Sequence, residues 1–116
     1  MAAIRILVAD DFEPWRRSVC SILKGQAELQ VVGEAADGEE AVQKARTLKP
    51  HLILLDIGLP KMNGIEAAKR IRQLVPGARI LFLTRNNDKD VVTALEPLTK
   101  PQSTSAKRRA RTIRPS

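Results

Sequence analysis

The chain is predicted to fold as an α/β domain with a doubly wound parallel sheet. Three observations predict it. Short apolar segments of strand length alternate with amphipathic segments of helical length. Residues 51–56, His-Leu-Ile-Leu-Leu-Asp, hold four consecutive apolar positions, which suits a strand covered on both faces. Finally, acidic residues follow two of the expected strands directly, and open α/β sheets gather function at the carboxyl ends of their strands.

The first strand is Ile4–Ala9, an apolar run that ends at Asp10-Asp11. A helix then runs to about residue 24. Pro14 suits its first turn, Trp15, Val19, Ile22 and Leu23 are the expected buried positions, and Gly25 is the expected stop. Residues 29–33 form the second strand. Gly38 opens the second helix and Pro50 bounds it. After the third strand at 51–56 comes a loop, Ile57 to Gly64, and a third helix over 65–74. Pro76-Gly77 turns the chain into a fourth strand at 79–84, and a fourth helix begins over 88–95.

The pattern stops there. Residues 96–116 supply no apolar strand and no closing helix, and Pro97, Pro101 and Pro115 interrupt them. The expected organisation is therefore a domain over 1–95, incomplete at its C-terminal end, and a disordered basic tail over 96–116. An abrupt change of composition in mid-helix also fits translation out of register after about residue 95.

Charge follows the same division. The formal charge is +7, yet residues 1–99 carry 14 Lys/Arg against 13 acids, while residues 100–116 carry six basic residues and no acid. A nearly neutral body with a basic tail gives only weak support to nucleic-acid binding, and the tail has no aromatic residue to stack on a base. No stretch is long and apolar enough to suggest a membrane span. The N-terminus reads as a strand rather than a signal peptide. The single cysteine, Cys20, allows no internal disulfide, which agrees with a cytoplasmic location.

Four side chains should converge at the carboxyl edge of the sheet: Asp10 and Asp11 after the first strand, Asp56 ending the third and Thr84 ending the fourth. Carboxylates packed together repel unless a cation joins them. Mg²⁺ is the expected cofactor because it takes oxygen ligands and keeps several waters. Asp56 is the expected nucleophile toward a phosphoryl group, Thr84 can donate to a phosphate oxygen, and Gly58 lets the backbone approach with its carbonyl as a further metal ligand. Each residue also has a structural reading. Asp11 can cap the following helix, Asp56 can be a surface acid, and Thr84 a strand-end threonine. His51, at the opposite edge, reads as a solvated strand-start residue, and Asn63-Gly64 as loop and helix-start chemistry.

The segments Val8-Ala9-Asp10-Asp11, Leu54-Leu55-Asp56-Ile57-Gly58-Leu59-Pro60-Lys61-Met62-Asn63-Gly64 and Ile80-Leu81-Phe82-Leu83-Thr84 resemble those of bacterial response-regulator receiver domains. The Asp-Ile-Gly-Leu-Pro form is most similar to the subgroup with a helix-turn-helix DNA-binding output. The resemblance covers residues 4–95. It implies a flavodoxin-like fold with strand order 2-1-3-4, the fifth strand and last helix missing. It implies Mg²⁺ at Asp10, Asp11, Asp56 and the Gly58 carbonyl, and a sensor histidine kinase as the phosphate source for Asp56. Thr84 would be the switch hydroxyl. Lys100 looks like the family's phosphate-pairing lysine, but only fifteen residues separate it from Thr84 and no apolar strand precedes it. On this resemblance the chain is a signalling module rather than an enzyme. It would act in a phosphorelay, form a homodimer in some settings, and bind DNA only through an output domain or weakly through its tail. The alternative is a degenerate receiver that serves as an interaction module with no working switch.

Overall fold

The computed structural model describes residues 3–83. Four strands, β1 (Ile4–Ala9), β2 (Leu29–Ala35), β3 (Leu52–Asp56) and β4 (Arg79–Leu83), alternate with α1 (Glu13–Lys24), α2 (Gly38–Leu48) and α3 (Gly64–Leu74). All three strand pairings are parallel and the order is β2-β1-β3-β4. This is the predicted doubly wound sheet. The expectations for the fourth helix, the missing fifth strand, the tail, Thr84 and Lys100 lie outside the described residues.

Side-chain alternation on the strands builds two cores. Ile6, Val8, Leu52, Leu54 and Leu83 face α1 and pack on its Val19, Cys20 and Leu23. Leu7, Ala9, Ile53, Leu55 and Phe82 face the other way, onto Ala41 and Ala45 of α2 and Ala67, Ala68 and Ile71 of α3. The four apolar residues of β3 are all buried, which is why that strand has no polar alternation. Each fully buried leucine or isoleucine contributes about 1.5–3 kcal/mol over an exposed one. Alanines on α2 and α3 bring both helices close to the sheet, so the loops at their N-termini sit tightly on the strand ends.

Some details differ from expectation, each for a local reason. β2 runs on through Gly33 to Ala35, because a bulge absorbs Val32: Ile6 pairs with Val31 but Leu7 with Gly33. α1 does end at Gly25, but with φ −74°, in the right-handed region rather than the left-handed one. Successive three-residue turns stop the helix instead, as the Gly25 and Gln26 amides donate to Ile22 and Leu23. Trp15 and Ile22 are half-buried against the α1-side core, and Cys20 is buried within it, as expected of a small helix residue of this kind.

The left-handed cap falls instead at Lys49 (φ 49°), just before Pro50. There Arg5 donates to the carbonyls of Lys49 at 3.0 Å and Leu48 at 2.7 Å, placing a cation at the negative end of α2. His51 is exposed at the strand entrance, as expected, and its Nδ1 accepts from the Arg5 amide at 2.9 Å.

Burial and the nearby Glu34 charge push the Cys20 thiol up from 9.0 to about 11. A shift of that size lowers the thiolate fraction near pH 8 by about 100-fold. Iodoacetamide should therefore modify the folded chain about that much more slowly than the chain unfolded in urea. Equal rates in the two states would contradict the burial of this thiol.

Candidate functional site

The carboxyl edge of the sheet forms where β1 and β3, neighbours in space, end side by side. Asp10 follows Ala9 and stays in line because its amide donates to the Ala35 carbonyl at the end of β2, at 3.0 Å. The residue is buried, 4% exposed, and one carboxylate oxygen accepts from the Phe12 amide at 2.8 Å. The Asp10 carbonyl accepts from Arg16 Nη1 at 2.7 Å, while Arg16 Nε bonds Glu34 at 2.9 Å. Arg16 thus ties the first turns of α1 to the edge strand. The sequence reading had given it no role, because its partners are 6 and 18 residues away. Asp11 projects into solvent, and the N-cap of α1 is Phe12, with no side-chain cap bond.

Asp56 is the last residue of β3 and is half-buried. Asp10, Asp11 and Asp56 each bring a carboxylate oxygen within 4.8 Å of the other two. This is the convergence expected from the order of the strands. Two unit charges at that spacing repel by roughly 3 kcal/mol at an effective dielectric of about 20. A small divalent cation with oxygen ligands fits such a donor set, binding some carboxylates directly and others through its waters. Thr84 would follow Leu83, which pairs with Asp56 across β3 and β4, but lies outside the described residues.

After Asp56 the chain enters a tightly seated loop. Asp56 accepts from the Gly58 amide at 3.2 Å. Gly58 itself is under no steric demand: its φ is not positive, and an added Cβ would meet only a carboxylate oxygen of Asp56, at 4.0 Å. The close backbone contacts of this segment fall instead at Gly38 and Gly64. At Gly64 a Cβ would lie 2.3 Å from the Asp56 carbonyl oxygen, and at Gly38 it would lie 1.7 Å from that of Met62. Both glycines begin helices, and both helices press on the loop. Asn63 caps α3 by accepting from the Glu66 amide at 2.9 Å, as the sequence suggested.

The start of α2 is capped twice. Asp37 accepts from the Glu40 amide at 2.8 Å, and Glu40 accepts from the Ala36 amide at the same distance. The sequence signal was present in Asp37-x-x-Glu40, the spacing of a reciprocal cap. The amide of Glu40 lowers the Asp37 carboxyl below its usual range, and the amide of Ala36, with Lys44, lowers that of Glu40. Groups whose folded values are depressed stabilise above their unfolded values and lose that contribution as pH falls through the folded ones. In acid titration, Asp37→Ala should cost about 1 kcal/mol at pH 7. That difference should shrink below about pH 4, as the ordinary and then the depressed ranges are crossed. A gap that stays constant down to pH 2 would contradict this cap.

Comparison with known proteins agrees with this architecture. Residues 6–101 match the family described as the response regulator receiver domain. Response regulator protein VraR of Staphylococcus aureus is 43% identical over 94 residues, covering 80% of this chain. The chain spans only 45% of that relative's length. Among solved structures, the response regulator domain of Thermotoga maritima CheB is 34% identical with a TM-score of 0.69, covering 96% of this chain and 90% of that one. A LuxR-family two-component response regulator from Aurantimonas sp. SI85-9A1 is 26% identical with a TM-score of 0.75, covering 96% and 97%. It accords with the DNA-binding subgroup to which the Asp-Ile-Gly-Leu-Pro segment pointed. With the strand order of its described residues, its acidic edge and a match over most of its length, the chain belongs to the response regulator receiver domain family.

Proposed function

We propose that Asp56 accepts a phosphoryl group from the phosphohistidine of a sensor kinase, in a Mg²⁺-dependent step. Membership of the family makes the chain a two-component signalling domain rather than a conventional enzyme. The observation that carries the finer reading is the meeting of three carboxylates at one strand edge. Asp10, Asp11 and Asp56, with the Gly58 carbonyl, would hold the metal. When bound, Mg²⁺ supplies the positive charge that neutralises the phosphoryl oxygens. The carboxylate of Asp56 attacks phosphorus, an O–P bond forms, and the N–P bond of the donor breaks as imidazole leaves. Thr84, next in the chain after β4, would donate its hydroxyl to a phosphate oxygen, and Lys100 is the chain's candidate for pairing with that phosphate.

The added charge and acceptor oxygens would shift a protein-interaction surface near β4 between two states. No helix of the described residues is long and apolar enough to cross a membrane, and a cytoplasmic site of action goes with a kinase partner. Output through DNA belongs to a further domain, as the longer relatives suggest, and self-association would tune it. The test is incubation of the chain with Mg²⁺ and a small-molecule phosphodonor, followed by intact mass measurement. A mass gain of one phosphoryl group, lost in chelator and labile to alkali, is expected. No gain, or a gain indifferent to Mg²⁺, would remove this reading.

A further inference from the structure

We propose that the start of α2 is a clamp that positions the loop carrying Asp56 and Gly58, with Asp37 and Gly38 as positioning residues. The inference rests on the reading of Asp56 as phosphate acceptor, and it concerns how that site is held. The loop between Asp56 and Gly64 is seated at both ends by the backbone. On one side the Gly64 amide donates to the Ile57 carbonyl at 2.8 Å. On the other, the Gly38 amide donates to the Pro60 carbonyl at 3.2 Å, and the Met62 amide donates to the same carbonyl at 2.7 Å.

The steric seat is tighter than these bonds require. An added Cβ at Gly38 would meet the Met62 carbonyl oxygen at 1.7 Å, its carbon at 2.6 Å and its Cβ at 2.8 Å. Two of those atoms are backbone, so a side chain at position 38 forces the loop and the helix apart. A weaker latch lies beside it. Lys61, held at φ 67°, brings its ammonium to 3.5 Å from Asp37, whose other contact caps α2. Lys61 is 63% exposed, so this pair orients the loop more than it stabilises the fold. The first turn of α2, the loop and the end of β3 therefore move as one body. Their spacing sets where the Gly58 carbonyl lies relative to the three carboxylates. Small displacements of reacting groups change rates steeply, by about 100-fold for roughly 1 Å.

Gly38→Ala opens the clamp, and Ala45→Gly is the control, because it weakens α2 in the core about two turns beyond Gly38. Two readouts are made on the full chain. The first is amide hydrogen exchange at Met62 and Gly64, which needs neither metal nor phosphate. The second is the Mg²⁺ concentration for half-maximal phosphorylation by a small phosphodonor. Gly38→Ala should speed exchange at both amides by about tenfold or more, and raise the Mg²⁺ requirement several-fold. Ala45→Gly should lower the melting temperature and leave the Mg²⁺ requirement unchanged. If Gly38→Ala does not fold, Lys61→Gly, which removes the latch at a φ that glycine tolerates, should shift both readouts in the same direction by about threefold. Unaltered exchange in the loop, or an equal Mg²⁺ shift in the Ala45 control, would overturn the clamp. A wild-type chain that takes up no phosphate would instead overturn the assignment of Asp56 and leave the exchange comparison to decide the clamp alone.

Discussion

Asp56→Asn should take up no phosphate under conditions in which the wild-type chain is labelled, a loss of at least about a thousandfold in rate. The amide keeps the shape of the side chain but lacks the anionic oxygen that attacks phosphorus, and no compensation comes from the neighbouring acids. Asp10 is 4% exposed and already engaged with the Phe12 amide, and Asp11 lies on the solvent side. The same substitution has a second expected effect, of opposite sign. Three carboxylates within 4.8 Å repel one another, so removing one charge should stabilise the fold in chelator, on the order of 1 kcal/mol after solvent screening. Added Mg²⁺ should narrow that gain, because it stabilises the wild-type cluster more than the variant. Urea denaturation of both chains, with and without Mg²⁺, reads the whole pattern. Labelling of the asparagine variant would move the acceptor elsewhere. A variant less stable in chelator would show that the acids do not strain the fold.

Gly64→Ala is expected to be the costliest single methyl addition among the described residues after Gly38. The new Cβ would lie 2.3 Å from the Asp56 carbonyl oxygen, 2.8 Å from the Ile57 Cα and 3.0 Å from the Asp56 carbonyl carbon. All three are backbone atoms of the strand end and cannot swing away as a side-chain tip would. The usual gain of about 1 kcal/mol for alanine over glycine in a helix is therefore outweighed. Overpacking of this kind costs about 3 kcal/mol. Gly25→Ala makes the comparison. Its nearest contact would be 3.4 Å, and its φ of −74° suits any residue. That change should be neutral or stabilising by up to about 1 kcal/mol. The two denaturation midpoints should thus move apart. Equal midpoints would mean that α3 does not sit against the end of β3 as described.

The contrast between these two glycines shows what could be read from the chain alone. Gly25 looked like a helix stop and is one, though by a different geometry. Gly64 read as loop and helix-start chemistry, and it is also where two backbones touch. The tight contact at Gly38 was not foreseen, because its constraint comes from Met62, 24 positions away in sequence. Arg16 was missed for the same reason: its bonds reach back to Asp10 and across to Glu34. Asp37 was also passed over, although its signal was present in the sequence, because a cap of this kind is written in a spacing of three residues.

The strands and helices of the described residues and the acidic edge followed from the sequence by itself, because each rests on short-range period, on turn residues, or on the rule that parallel strands end on one side. That is why the meeting of Asp10, Asp11 and Asp56 is written in the sequence. Only the tertiary structure decided how tightly that edge is held: the bulge at Val32, the Arg16 tie, and the pinching of the loop between Gly38 and Gly64. These depend on the distance of closest approach between segments far apart in the chain. Side-chain volume and backbone path set that distance jointly, and no local pattern records it.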